Sequence, residues 1–168
     1  MPTTTTPAEK HQERWQKIVE DPLLSELPYK VETNRRGQIV LSPHTTFHSR
    51  QQKRVMKRLD ELLSSGEAFQ EWPIVTAGGT RQADVIWASD ERLDEMDETG
   101  DPPTLAPEIC VGIMSESNDW EEMDNKRALY REAGAEEVWV VATDGSVRFF
   151  ADDELKHSEL APDFPQSI

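Results

Sequence analysis

The chain has 168 residues, 36% hydrophobic and 30% charged, with a formal net charge of −15. That length holds one domain with a sizeable core and is short for two ordinary ones, and no apolar run approaches the ~20 residues that span a bilayer. So acidic a surface repels phosphate, which counts against a nucleic-acid partner unless the basic residues are segregated onto one face.

In chain order, residues 1–7 (MPTTTTP) are rich in Thr and Pro and read as disordered, without the charged-then-apolar layout of a secretion signal. A helix is expected over residues 9–20, with Trp15, Ile18 and Val19 along one side and Asp21-Pro22 as its stop. Residues 29–32 and 38–41 flank NRRG and read as a hairpin. A long helix follows over residues 46–64, ended by Ser65-Gly66. At about 100° per residue it places Val55, Met56, Leu59, Leu62 and Leu63 on one side and Arg50, Lys53, Arg54, Lys57 and Arg58 on the other. The basic side is either an ordinary solvated face or a strip of phosphate contacts that survives the acidic average, and Arg35 and Arg36 could extend it.

Extended stretches are expected over residues 68–72 (reaching 76), 82–87 and 107–114. The acidic run from Asp90 to Asp101 reads as a solvated loop or short helix, because it lacks the turn and ligand spacing of a calcium loop. In PEICVGIMSESN, residues 107–118, apolar residues fill both faces of a buried strand. Gly112 at its centre is anomalous, since it packs nothing and weakens the strand. The one cysteine, Cys110, lies in the same strand; a lone buried thiol implies packing rather than a disulfide framework and fits a reducing cytoplasm.

A second long helix begins after Asn118, which forms a capping box with Glu121, and ends at Gly134. Its inward arc holds Trp120, Met123, Leu129, Tyr130 and Ala133, with Lys126 among them. A buried ammonium without a partner costs several kcal/mol, on the order of a lost solvation shell, so Lys126 either faces an acid or polar cavity or snorkels to water. EVWVVAT and VRFFAD, joined by Asp144-Gly145, make a hairpin. The acidic tail from residue 152, with Pro162 and Pro165, reads as loosely attached. The expected class is α/β of the α+β kind, a mixed central sheet flanked by helices.

ADVIWAS, PEICVGIMSESN and KRALYREAGAEEVWVV together resemble the Uma-two family of the PD-(D/E)XK nuclease superfamily. The matching positions are Asp84, Ser115, Ser117, Lys126, Tyr130, Gly134 and the Val138-Trp139 pair, while YKVETNRRGQIVLSP and the helix carrying His48 look like the family's N-terminal half. The resemblance spans about residues 27–150. It implies a restriction-endonuclease-like core over residues 27–151, preceded by an extension (1–26) and followed by the acidic tail (152–168).

The resemblance also implies a Mg²⁺- or Mn²⁺-dependent endonuclease acting on DNA. In such a site two acids and the backbone carbonyl of the next residue hold the metal, and a lysine steadies the phosphate and orients or deprotonates the water. Carried over, these roles fall to Asp84, position 112, the carbonyl of Ile113 and Lys126. Two departures stand out: Ala83 replaces the proline before the first acid, and Gly112 replaces the second acid. Glu108 lies four residues back along the strand, ~13 Å at ~3.3 Å per residue, and Glu116 lies past its end, so neither substitutes. The expectation is a nuclease fold with weakened metal binding at Gly112. A non-catalytic nucleic-acid-binding or protein-interaction module is the alternative, and a third reading makes Gly112 an introduced or incidental change in an otherwise active enzyme. Analogy with nucleases that cut both strands makes homodimerisation an expectation too, as are a cytoplasmic location and the absence of a membrane partner.

Overall fold

A computed structural model gives the architecture over residues 4–168; the expectation for residues 1–3 lies outside the described residues. Helix α1 (Pro7–Glu20) begins earlier than its apolar periodicity indicates. Thr6 caps it through Glu9 N–H, and the Glu9 side chain returns to Thr6 N–H, so the Thr-Pro segment supplies a capping box and an N1 proline. Trp15 and Ile18 are buried as expected, but Val19 is 56% exposed. Asp21 ends α1 and caps a further turn, α2 (Pro22–Ser25). Strands β1 (Tyr29–Thr33) and β2 (Ile39–Pro43) pair antiparallel as a separate hairpin.

Helix α3 (Thr46–Leu62) leads to two long strands, β3 (Gly66–Thr76) and β4 (Gly79–Ser89). The acidic run folds as α4 (Asp90–Asp97), and β5 (Ile109–Ile113), α5 (Trp120–Glu132), β6 (Glu137–Val141), β7 (Val147–Phe150) and β8 (Glu154–Leu155) follow. The main sheet has the order β3-β4-β5-β6-β7-β8. Only β5 and β6 run parallel, and α5 makes the crossover between them.

The expected strands and helices are all present, and the sheet is buried on both faces. Val55 and Leu59 of α3 pack on Val85, Trp87, Ile109, Val111, Ile113 and Trp139. On the other face Tyr130 of α5 joins Ile74, Ala83, Ile86, Cys110 and Val138. Two expectations need correction. The cap of α5 is Asp119, which accepts Glu122 N–H at 2.8 Å, whereas Asn118 accepts Ser115 N–H. The C-terminal tail is not loosely attached: Phe164, 3% exposed, packs against Trp139, and Val147 N–H donates to Gln166 O. Its few apolar residues are spaced too irregularly to announce this.

Two local features set the site. Gly79 (φ +102°) brings the β3–β4 turn so close to the small hairpin that a Cβ there would lie 2.3 Å from Thr33 O, and Thr80 N–H donates to Thr33 Oγ1 at 2.9 Å. The hairpin is thereby clamped over β4. In β3, Glu71 adopts φ +51° opposite Asp84, and the ladder between Gln70–Val85 and Trp72–Ala83 skips this pair. The alternation of β4 changes phase there, because Val85 faces α3 whereas Ala83 and Ile86 both face α5. A non-glycine residue in the left-handed region costs about 1–2 kcal/mol, and a β-branched one suits it least. Glu71→Val is therefore expected to lower the free energy of urea unfolding by at least about 1 kcal/mol, while Glu71→Gly is tolerated.

Candidate active site

The kink at Glu71 turns Asp84 out of the regular pleat. Its Oδ2 accepts Ile113 N–H at 2.7 Å, closing the β4–β5 ladder beyond the Val85–Val111 pair. Its Oδ1 accepts Lys30 Nζ at 2.8 Å. His48 Nε2 stands 3.1 Å from the same oxygen but off the axis of a formed hydrogen bond. Gln52 on α3 donates to the Asp84 carbonyl at 3.1 Å.

Lys30 and Glu32 are two apart on β1, so both project from the face clamped over β4. Lys30 is 8% exposed and Glu32 is fully buried. Glu32 Oε2 accepts Gln82 N–H at 2.8 Å, and Oε1 accepts Lys126 Nζ at 2.9 Å. The inward lysine of α5 thus meets an acid, one of the two outcomes its helical position allowed.

Burial alone would raise the Asp84 pKa, but the charge of Lys30 and the contact with His48 outweigh it and hold the carboxyl far below its ordinary value. Glu32 is lowered too, with burial opposed by Lys30 and Lys126. For Lys30, burial works against the charged form, yet Asp84 and Glu32 push its pKa up to about 12. Lys126 goes the other way. Burial and the charge of Lys30 lower its pKa despite Glu32, so it releases a proton more readily than a free lysine.

Asp84, Gly112, Ile113 and Lys126 line one cavity of about 40 Å³, with Lys30 and His48 on its wall. That is room for a water or a small ion. Two buried polar atoms on its wall, His48 Nε2 and Tyr130 Oη, lack a hydrogen-bond partner. A Cβ at position 112 would meet Met123 Cε at 2.6 Å, so a thioether methyl occupies the space a side chain there would enter. Glu108 is engaged elsewhere, accepting Ser89 Oγ at 2.6 Å and Ser89 N–H at 3.0 Å. Arg50, Lys53, Arg54, Lys57 and Arg58 are all exposed, and none lines the cavity.

The donors present do not fit a hard divalent cation. Among the described residues no three His, Cys, Asp or Glu side chains are grouped to hold a metal, and the one or two carboxylates that a Mg²⁺ ion usually takes from a protein are not free here. Asp84 and Glu32 are satisfied instead by ammoniums and backbone amides. Gly112 and Lys126 line the same cavity as Asp84. Lys30 and Glu32 were missed because alternation alone puts charged strand residues on the solvent side; their one signal was a shared strand face within the matched N-terminal segment.

A mixed sheet with a parallel β5–β6 crossover, and an acid and a lysine converging where β4 and β5 diverge, define a restriction-endonuclease-like fold. The Uma2 profile, described as "Putative restriction endonuclease", matches residues 15–164. The chain belongs to this family. Among solved structures, a "putative nuclease belonging to DUF820" from Anabaena variabilis is similar in fold, with a TM-score of 0.67 and 14% identity over 82% of this chain and 86% of that one. No curated protein gives a significant match. Among the described residues, no helix is long and apolar enough to cross a membrane.

The network gives a pH dependence of definite sign. Asp84 and Glu32 have folded pKa values below their ordinary 3.8 and 4.5, so their stabilisation is complete above those values and is lost as pH falls through the folded ones. Urea-unfolding free energies should drop steeply below about pH 4. Asp84→Asn leaves Lys30 buried without its counter-charge and should cost about 3 kcal/mol or more at pH 7, with the gap to the parent narrowing as pH falls.

Proposed function

We propose that this chain is a DNA-directed member of its endonuclease family whose phosphodiester hydrolysis is impaired at position 112. The observation that carries the reading is the convergence of Asp84, Gly112, Ile113 and Lys126 on one cavity, in the arrangement the family resemblance implies, with a carboxylate missing. Hydrolysis of this kind relies on a metal that activates water and neutralises developing charge. The present residues retain one acid and a lysine of lowered pKa beside it, but lack the second carboxylate.

Gly112→Glu supplies the absent acid, and its stem must displace the Met123 methyl, the flexible end of its side chain. Gly112→Glu, alone and combined with Met123→Ala, is expected to show Mg²⁺-dependent nicking of plasmid DNA well above the parent chain. Folded variants that leave plasmid intact would remove the hydrolase reading and favour a non-catalytic module.

The route to the backbone is the exposed basic side of α3. Five like charges on one face of a chain of net charge −15 make a local field opposite to the average. Each phosphate contact contributes about 0.9 to the slope of log affinity against log salt on duplex DNA. Arg54→Ala with Lys57→Ala should weaken duplex binding and flatten that slope by about 1–2; an unchanged slope assigns the strip to ordinary surface.

A further inference from the structure

We propose that the Lys30 ammonium is the resident cation of this site, built into β1 opposite Asp84 in place of a divalent metal. The proposal rests on reading the cavity as a former nuclease centre, and it starts from the charged network at its wall, where Lys30, Asp84 and Lys126 line the cavity and Glu32 lies behind Lys126. Two ammoniums, Lys30 and Lys126, face two carboxylates, Asp84 and Glu32, through contacts of 2.8 and 2.9 Å. The four charges cancel. A divalent ion needs a surplus of negative charge, and none remains.

Lys30 is also placed as a fixed part rather than as a surface arm that folded inward. Its strand is tied to β4 at two points: Thr33 Oγ1 takes Thr80 N–H at 2.9 Å, and Val31 O takes Gln82 Nε2 at 2.8 Å. The close approach at Gly79 keeps the hairpin seated. Lys30 is 8% exposed and lines the same cavity as Asp84, Gly112 and Lys126.

Gly112 and Lys30 then make one arrangement. Loss of the carboxylate at position 112 takes away one negative charge, and Lys30 balances the one left on Asp84. Met123 occupies the vacated space with an apolar methyl, which suits a network that no longer binds a metal. Restoring the acid alone gives the network a charge of −1, and neutralising Lys30 alone does the same. Doing both gives −2, the charge a divalent cation matches.

The test is Mn²⁺ alone, titrated calorimetrically into the full chain and into Lys30→Met, Gly112→Glu and the double variant, with thermal unfolding in parallel. Lys30→Met should bind Mn²⁺ at least tenfold more tightly than the parent, and the double variant more tightly than either single one. Mn²⁺ should raise the melting temperature of Lys30→Met and not that of the parent. A parent chain that binds Mn²⁺ as well as Lys30→Met does, or a folded Lys30→Met with no gain, overturns the proposal. Should Lys30→Met fail to fold, Lys30→Gln, neutral but able to donate to Asp84, is read by the same criteria. If neither folds alone, Mn²⁺-dependent refolding supports the proposal and its absence overturns it. A double variant that binds Mn²⁺ and leaves DNA uncut upholds the resident cation while removing the hydrolase reading. Cleavage by Gly112→Glu with no Mn²⁺ gain in Lys30→Met has the opposite meaning.

Discussion

The structure is organised around one buried carboxylate. Asp84 sits where β4 changes phase, and it ties three parts of the chain together: its carboxylate takes Ile113 N–H at the end of β5 and the Lys30 ammonium of the separate hairpin, and its backbone carbonyl takes Gln52 of α3. A buried ion is tolerated only when its hydrogen-bonding capacity is met and its charge is countered, so these partners are obligatory rather than incidental. The geometry also explains why an otherwise regular hairpin contains a left-handed glutamate. Glu71 takes the backbone strain that turns Asp84 into the interior of the site instead of onto a sheet face.

This dependence runs in both directions. The β1–β2 hairpin pairs with no strand of the main sheet, and a lone two-stranded hairpin is marginal in water. It is held by polar contacts: the clamp at Gly79, the Thr80–Thr33 bond, the Gln82 contacts to Val31 and Glu32, and the two lysine–carboxylate pairs. The residues that define the site are therefore the ones that dock this part of the fold. A change in one charge alters the seating of the hairpin as well as the chemistry of the cavity.

Most of the fold was legible because its signals are local. The hairpin turns at NRRG and Asp144-Gly145, the apolar stripe of α3, and the glycine that ends α5 all lie within a few residues of what they specify. Lys126 was legible for the same reason, as a charged residue inside an apolar helical arc. Lys30 and Glu32 were not, since their partners lie 54 and 94 residues away and nothing local distinguishes a buried charged strand residue from a solvated one. The tail was misread on composition. Its acids and prolines dominate the pattern, while a single aromatic, Phe164, stacked on Trp139 beside Phe149, fixes it to the core.

Gly112 gains its meaning only from that long-range network. Within the strand it packs nothing, and beside Asp84 and Lys126 it stands where the family resemblance implies a second acid. With Lys30 and Glu32 included, it belongs to a site whose charges are balanced without it. Burying a net charge costs far more than burying a neutral cluster of the same groups, so once the carboxylate is absent the compensated state with Lys30 inside is the stable one. An acid placed at position 112 faces a neutral cluster and the Met123 methyl group. On the proposed reading a single substitution places a carboxylate on the strand, but the charge balance around it is set by Lys30, and that lysine decides whether the acid meets a cation.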